Sequence, residues 1–364
     1  MGSGEKYHGV SDELVEELAG KLPYINASDL TCIAPGMPYK VHFDADYVTR
    51  LKAGGVTAIH AALTVWFMES VTTAPKRVGS FLKLLDQFPD DLLHVQKADD
   101  VLRAHRERKV GLIMHFHSPA AIEDDLDLLA VYHRLGLRVM QLTYQGRSLL
   151  GDGCAEPNQG GLSSLGIRAI EEMNRLGVLI DLSHTGYRTY MEALELSSVP
   201  VINSHGCVRT LRDLPRNLND EQIKALARKG GVLGIMAKSH CLTPKGAMEG
   251  ATLDDFLDHI DYVSKLVGVD FVAIGLENAH GIEASEVKDL EAQIHGRSAR
   301  SYDRPLFPKE YRFEKVYSAK DLDEVTAVKR NLIRGLLGRG YSEIEIGKIL
   351  GGNLIRVYGQ VWKE

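Results

Sequence analysis

The sequence has few of the features that identify disulfide-rich, membrane or secreted proteins. Its four cysteines, Cys32, Cys154, Cys207 and Cys241, lie far apart without a Cys-x-x-Cys pair, which argues against a thiolate zinc cluster and against a disulfide scaffold. No apolar run reaches the length of about 18 residues that a membrane span needs, and residues 1–7 contain no apolar signal segment. These absences predict a cytoplasmic protein with reduced thiols and no membrane partner.

Signatures of nucleic-acid and nucleotide binding are also missing. The formal net charge is -6, and no dense run of Lys and Arg with interleaved aromatic residues appears, so nucleic acid is not an expected partner. No glycine-rich stretch follows a strand with Gly-x-Gly-x-x-Gly spacing, and no Gly-x-Ser-x-Gly turn is present. The dinucleotide-binding class and the commonest serine-hydrolase class are therefore excluded. A small-molecule substrate remains the expected partner, and a homodimer stays open.

The sequence does contain a regular alternation of short β-branched runs and longer segments with helical periodicity. Strands are predicted at residues 24–30, 56–63, 110–117, 139–144, 178–184, 199–205, 231–237 and 271–277. Several of these runs are apolar almost throughout, as is typical of strands buried on both faces. Eight strands that alternate with helices predict an α/β protein with a (β/α)8 TIM-barrel fold.

Amphipathic helices are expected to form the outer layer of this barrel. Apolar side chains recur at three- and four-residue steps in residues 122–135 and 164–176, which is the helical period. Gly136 and Gly177 each follow an Arg-Leu pair, where glycine most easily takes the left-handed conformation that ends a helix. After the eighth strand, the charged segment near 280–320 is predicted to be a long loop over the barrel mouth, followed by C-terminal helices. The whole chain of 364 residues is expected to form one barrel domain.

Three histidines stand at equivalent places in this pattern. His117, His184 and His205 each lie at the C-terminal end of a predicted strand, and the strand ends of a (β/α)8 barrel converge on one face. Taken alone, a histidine after a strand is more often a hydrogen-bonded loop or core residue. Three at equivalent strand ends predict a metal site instead, because neutral imidazole is a good zinc ligand and three histidines with a water form a known catalytic pattern.

Other polar residues are expected around the same face. Asp29, Tyr144 and Glu277 also follow predicted strands. A carboxylate beside a metal can accept a proton from the water that the metal activates, which makes Asp29 and Glu277 candidates for acid/base chemistry. Tyr144 is assigned to the pocket, with a core tyrosine as the alternative.

Four further residues are weaker candidates. Lys238 and His240 follow the seventh predicted strand, in a loop of the kind where many side chains have no chemical role. His60 and His115 lie inside predicted strands, where packing or a hydrogen bond is the better interpretation.

A set of motifs occurs in a fixed order between residues 171 and 357. They are Glu171-Glu-Met-Asn-Arg-Leu-Gly177, Asp181-Leu-Ser-His184, Pro200-Val-Ile-Asn-Ser-His205, Pro215-Arg-Asn217 and Gly351-Gly-Asn-Leu-Ile-Arg-Val357. Together they resemble the membrane (renal) dipeptidase family, or peptidase M19 family, of the amidohydrolase superfamily. The resemblance implies a metal-dependent hydrolase with a barrel fold. Gln141-Leu-Thr-Tyr-Gln145 with residues 149–156 resembles a microbial branch of that family. The resemblance extends from about the first strand to the C-terminus.

The resemblance implies roles for individual residues. The family holds two zinc ions with a His-x-Asp pair on the first strand, a bridging Glu on the third, and histidines on the fifth and sixth strands. An Asp on the eighth strand acts as acid and base. His184 and His205 match the last two ligands, and Arg216 matches the residue that binds the substrate carboxylate, a role suited to a planar and permanently charged guanidinium. The alternative for Arg216 is a surface residue in a salt bridge.

Four positions depart from the family pattern. Ala27 stands where the first-strand His is expected, so only Asp29 remains there. His117 stands in place of the bridging Glu, and a neutral imidazole offers one nitrogen to one metal and cannot bridge two. Glu277 replaces the eighth-strand Asp, and Tyr144 replaces the His that contacts substrate. The predicted ligands of a single zinc or other divalent ion are then His117, His184 and His205.

The sequence therefore predicts a metal-dependent hydrolase that acts on a small amide or dipeptide-like substrate with a free carboxylate. The metal is expected to activate a water, and Glu277 to carry its proton to the leaving amine, with Asp29 as the alternative base. The altered ligand positions leave a second function open. That function is a barrel that binds a small ligand or catalyses a non-hydrolytic step such as elimination or rearrangement.

Overall fold

Short runs of apolar residues form the strands at the centre of the molecule. A computed structural model describes Tyr7 and residues 9–31, 43–64, 70–247, 249–277 and 318–363. The strands in this part of the chain are β1 (Ile25–Asp29), β2 (Ala58–Thr64), β3 (Leu92–His94), β4 (Val110–Phe116), β5 (Leu137–Gln141), β6 (Leu179–Asp181), β7 (Ile202–Gly206), β8 (Val232–Ile235) and β9 (Val272–Ile274). Each predicted strand overlaps an observed one, and β3 is a short additional strand that the sequence analysis missed.

These strands form a nearly closed parallel barrel. Their order is β1-β2-β4-β5-β6-β7-β8-β9, and β3 pairs with β4 outside this path. Just beyond β9, the Glu277 backbone N–H donates to the Ser28 carbonyl oxygen of β1 at 3.0 Å, which joins the last strand to the first. The predicted TIM barrel is confirmed, and the carboxyl ends of its strands therefore meet on one face.

Helices cover the outside of the barrel. They are α1 (Asp12–Lys21), α2 (Ala45–Ala53), α3 (Ala74–Gln87), α4 (Ala98–Glu107), α5 (Asp127–Leu135), α6 (Ser164–Leu176), α7 (Tyr187–Leu196), α8 (Asp220–Arg228), α9 (Ser239–Leu242), α10 (Leu253–Val267), α11 (Val325–Gly338), α12 (Glu343–Gly347) and α13 (Asn353–Val361). A π-helix, Lys348–Gly352, joins α12 to α13. In the described part of the chain, no helix is both long enough and apolar enough to cross a bilayer.

Two predicted helix ends are confirmed and one predicted start is wrong. Gly136 and Gly177 follow α5 and α6 with φ angles of 112° and 81°, the left-handed conformation that glycine adopts most easily. The helix predicted at 122–135 begins only at Asp127. Glu123 has a φ of 46°, which interrupts the helical backbone before that point. The predicted loop at 280–320 lies outside the described residues except for its last three.

The barrel interior changes from apolar to polar along its axis. Every barrel strand contributes to one buried apolar cluster, which includes Ile25, Ala27, Ala58, Ile113, Val139, Leu179, Ile202, Val232 and Ala273. Helix α13 packs on this cluster through Val357 and Tyr358. Burial of one such side chain stabilises the fold by about 1.5–3 kcal/mol. Other interior residues, including His60, His115 and Asp181, are polar and fully buried, so the fold places ionisable groups where water is excluded.

Candidate metal centre

Two histidine side chains approach each other at the carboxyl ends of β6 and β7. His184 lies three residues beyond β6, and His205 is the fourth residue of β7. Both are buried, and their Nε2 atoms are 3.0 Å apart. Two nitrogens on one tetrahedral zinc, each at about 2.0–2.1 Å, are about 3.3 Å apart. The pair therefore has nearly the spacing of two ligands of one metal.

Glu277, three residues beyond β9, completes a cluster with these histidines. Its Oε1 is 4.0 Å from His184 Nε2 and 3.8 Å from His205 Nε2. Ligand atoms of one zinc ion are at most about 4.2 Å apart, because each bond is about 2.0–2.2 Å long. The two Glu277 distances fall within this limit but are longer than the spacing of about 3.3 Å between two ligands of one tetrahedral zinc. Two imidazoles with a carboxylate suit zinc and related divalent ions. Within the described ranges, this is the group of potential ligands that lies close enough to hold an ion.

A lysine faces the other oxygen of Glu277. Lys238 Nζ is 3.9 Å from Glu277 Oε2. Burial lowers the pKa of Lys238, although the Glu277 charge opposes this shift. His240 is also buried, and burial together with the Lys238 and Arg212 charges lowers its pKa to about 3. Of the two weaker candidates in this loop, Lys238 therefore lies close to the cluster, through Glu277.

Burial keeps the histidines at this face neutral. Removal from water lowers the pKa of His184 and of His205 well below the usual value, and the Arg216 guanidinium lowers it further. For His117, burial is again the main cause of a lowered pKa, followed by His115. Neutral imidazole is the form that binds a metal, so the surroundings favour the binding-competent state of these side chains.

Two members of the cluster have a left-handed backbone. The φ angles are 62° at His184 and 56° at Glu277. Non-glycine residues adopt this region rarely, at a cost of about 1–3 kcal/mol each, and such strain concentrates at functional sites. The His184 carbonyl accepts from the Cys154 N–H at 2.7 Å, which helps to fix the first of these turns. The sequence contained no signal for either conformation.

A buried carboxylate, Asp181, is connected to His205 through the Ser204 hydroxyl. Asp181 ends β6, and its Oδ1 accepts the backbone N–H groups of Ser183 and Ser204, both at 2.9 Å. Its Oδ2 accepts the Ser204 hydroxyl at 2.5 Å, and that hydroxyl oxygen is 2.7 Å from His205 Nδ1. Burial alone would raise the pKa of Asp181, but contacts from His115 and Ser204 outweigh it and hold the pKa below its usual value. Sequence reasoning missed this role, although a charged residue at the end of an apolar strand was a usable signal.

His117 lies beside the cluster rather than in it. Its ring stacks on His205, with centroids 5.1 Å apart and planes 19° apart. Both ring nitrogens are buried, and neither has a hydrogen-bond partner among the described residues. His115 Nε2 lies 3.1 Å from Asp181 Oδ2, and His60 Nε2 lies 2.5 Å from the Tyr358 hydroxyl. The interior contacts expected for His115 and His60 are therefore present.

Tyr144 and Arg216 border the histidine pair. The Tyr144 ring stacks on His184, with centroids 4.2 Å apart and planes 23° apart. Arg216 Nη2 donates to the His205 carbonyl oxygen at 2.7 Å. Its Nη1 is buried and has no hydrogen-bond partner within the part of the chain described. Because Arg216 is only 6% exposed, the alternative of a surface salt bridge does not fit this residue.

The β1 contribution to this face is small. Ala27 is fully buried in the apolar cluster of the interior. Both oxygens of Asp29 are engaged locally: Oδ1 accepts the Thr31 N–H at 2.9 Å, and Oδ2 accepts the Tyr47 hydroxyl at 2.7 Å. Asp29 is not a member of the His184, His205 and Glu277 cluster.

The fold and the cluster define a (β/α)8 barrel with a candidate metal centre at the carboxyl ends of its strands. A family model described as membrane dipeptidase, peptidase family M19, matches residues 24–298. The match covers well over half of the sequence, and the chain therefore belongs to the membrane dipeptidase family.

Individual relatives agree with this assignment. An uncharacterised dipeptidase of Schizosaccharomyces pombe is 33% identical over 198 residues, which are 53% of this chain and 47% of the relative. A dipeptidase of Aspergillus oryzae is 28% identical over 283 residues, 77% of this chain and 58% of the relative. The crystal structure of an amidohydrolase from Pseudomonas aeruginosa superposes with a TM-score of 0.83 at 29% identity, covering 96% of this chain and 99% of that one. The chain spans about half the length of the curated relatives it matches.

Proposed function

We propose that this chain is a metal-dependent hydrolase of a small amide or dipeptide-like substrate with a free carboxylate. The observation that carries the proposal is the buried cluster of His184, His205 and Glu277, whose potential ligand atoms all lie within 4.8 Å of one another. Membership of the membrane dipeptidase family supports the same class of reaction.

One divalent ion, zinc or a metal of similar ligand preference, is proposed to be held by His184 and His205. When bound, such an ion polarises a carbonyl and lowers the pKa of a coordinated water. His117 is the proposed third ligand, because its two buried nitrogens have no hydrogen-bond partner in the described part of the chain. The short distances from Glu277 Oε1 to both histidines favour a second arrangement, in which Glu277 is the third ligand.

Glu277 is proposed to carry the proton. Its Oε1 faces the two histidines, and its Oε2 faces the Lys238 ammonium at 3.9 Å. A carboxylate in this place can accept a proton from the attacking water and return it to the leaving amine. Asp29 is the less suitable base, because hydrogen bonds from Thr31 and Tyr47 already occupy its two oxygens.

Arg216 and Tyr144 are proposed to bind the substrate. A buried guanidinium nitrogen with no partner among the described residues is suited to a carboxylate, which guanidinium groups bind through paired hydrogen bonds. The half-buried Tyr144 ring covers one face of His184 and so borders the space in which a substrate would lie.

A panel of dipeptides and their C-terminal amides tests this proposal. Dipeptides should be hydrolysed, a chelator should abolish the reaction, and zinc should restore it. The amides should react roughly 10- to 100-fold more slowly, because a charged hydrogen bond is lost. Arg216→Met should remove this difference between acid and amide. If the metal-loaded protein hydrolyses no member of the panel, the proposal is wrong, and a binding or non-hydrolytic function becomes the better explanation.

A further inference from the structure

Ser204 stands between a carboxylate and a ligand histidine. Its Oγ is 2.5 Å from Asp181 Oδ2 and 2.7 Å from His205 Nδ1. Each of these three residues is at most 1% exposed, so water does not compete for the contacts. The Ser183 hydroxyl oxygen is a third neighbour, at 3.1 Å. A serine hydroxyl has one proton to donate, which means that it can donate to only one of these neighbours.

The charge state of Asp181 determines which neighbour accepts the Ser204 hydroxyl proton. An ionised carboxylate only accepts hydrogen bonds, and Oδ1 of Asp181 already accepts two backbone N–H groups and the Ser183 hydroxyl. His115 Nε2 lies 3.1 Å from Oδ2, close enough for an ion pair, although the ring is not aligned for a good hydrogen bond. With every neighbour favouring the ionised form, the Ser204 hydroxyl donates to Oδ2.

The position of the proton on His205 follows from this arrangement. Because the Ser204 hydroxyl donates to Asp181, its oxygen accepts from His205, and Nδ1 of that ring must carry the proton. Nε2 is then left with a lone pair, on the side where it meets His184 Nε2 at 3.0 Å. We propose that Asp181 and Ser204 are positioning residues that fix His205 in this tautomer and direct its Nε2 at the metal. The inference deepens the proposed function and depends on its metal site.

The backbone around Ser204 is held closely. A Cβ atom on Gly234 would lie 2.0 Å from the Ser204 carbonyl oxygen, and one on Gly275 would lie 1.8 Å from it. Both glycines therefore allow neighbouring segments to pack directly against this residue. His184 has no comparable support, since its Nδ1 is buried without a hydrogen-bond partner among the described residues. The Asp181–Ser204 network therefore orients the His205 ring. Among the described residues, no such hydrogen bond orients the His184 ring through Nδ1.

The test compares Ser204→Ala with Ser183→Ala as a matched control. Both variants remove a buried hydroxyl that donates to Asp181. Ser183 also accepts the His205 backbone N–H at 3.1 Å, but only Ser204 contacts the His205 ring, at Nδ1. Zinc affinity is measured by chelator competition. Loss of an outer hydrogen-bond partner of a ligand histidine typically lowers metal affinity about 10- to 100-fold, which is the change expected for Ser204→Ala. Ser183→Ala should lower the affinity less than Ser204→Ala does, because it leaves the contact to His205 Nδ1 in place. Equal losses in both folded variants would overturn the proposal.

Nitrogen NMR of histidine-labelled, metal-free protein gives a readout that does not depend on the metal. The parent should show His205 protonated at Nδ1, and Ser204→Ala should show a mixture of tautomers. A parent that binds no zinc would contradict the proposed function, whereas the NMR result would still test the positioning role. If Ser204→Ala keeps both the parental tautomer and the parental zinc affinity, Ser204 and Asp181 have no such role.

Discussion

The two sides of the barrel mouth are built differently. On the β6–β7 side, Asp181, Ser204 and His205 form a continuous buried hydrogen-bond network. On the β1–β4 side, Ala27 packs in the apolar cluster, and His117 has no hydrogen-bond partner among the described residues. Ligands with fixed orientation bind a metal with less loss of conformational freedom. We therefore expect the proposed metal to be held mainly from the β6–β7 side.

Replacement of His205 by Asn should have the largest effect. It removes the supported ligand, so we expect the variant to lose bound zinc on dialysis and to have no measurable hydrolysis. Elemental analysis and an activity assay give the result. His259→Asn is the matched control, because His259 is also buried but makes backbone hydrogen bonds to Val208 and Leu242, both at 2.9 Å. Retention of the metal by His205→Asn would contradict the comparison.

Glu277→Gln should have the next largest effect. The amide preserves the shape of the side chain but cannot accept and return a proton. Turnover should fall by about 10²- to 10⁴-fold, the usual contribution of an acid/base residue, while the metal content equals that of the parent. Loss of the metal would show that Glu277 is a ligand instead. Full activity would make Asp29 the better candidate, and Asp29→Asn should be measured in parallel.

His117→Asn sharpens the comparison between the two sides. As a ligand without support from neighbouring hydrogen bonds, His117 should contribute less than His205, and we expect zinc affinity to fall about 10-fold. Chelator competition measures this change. An affinity loss as large as that of His205→Asn would show that both sides hold the metal equally. An unchanged affinity would remove His117 from the ligand set.

The last expected effect is a pH dependence of the free energy of unfolding, which should appear in the metal-free protein. Burial lowers the pKa of His60, His117, His184 and His205. As the pH falls below about 6.5, the unfolded chain takes up protons that the folded chain does not, so stability is lost. Between pH 7.5 and 5.5 the loss should be about 1.4 kcal/mol for each histidine that stays neutral. Urea unfolding measures it, and equal or greater stability at the lower pH would contradict this account.

Most of the fold was predictable from the sequence, because each barrel strand carries a local signal. Apolar runs such as residues 110–117 can be recognised without knowledge of their neighbours. Gly136 and Gly177 marked two helix ends for the same reason. The short strand β3 was missed, because its two leucines lie between Asp91 and His94 and form no longer apolar run. The start of α5 was misplaced because Glu123 adopts a positive φ angle that its residue type does not predict.

The site was predictable only in part. Strand-end positions identified His184, His205 and Glu277, which the structure brings within 4.0 Å of one another. Their relation to Asp181 and Ser204 depends on contacts between β6 and β7 that no single segment encodes. The stacking of His117 on His205 likewise arises from side-chain packing across strands. Among the described residues, the candidate metal cluster contains His184 and His205 but not His117.

The number of bound metal ions tests the central claim most directly. If only the β6–β7 side is prepared for a tightly held ion, elemental analysis after extensive dialysis should give about one equivalent of zinc or another divalent metal per chain. Ala27 has no side-chain ligand atom, and His117 offers a single imidazole. These two positions therefore do not provide the set of ligands that a second ion needs. Two firmly retained equivalents per chain would contradict this account, because they would show that the β1–β4 side is a metal site as well.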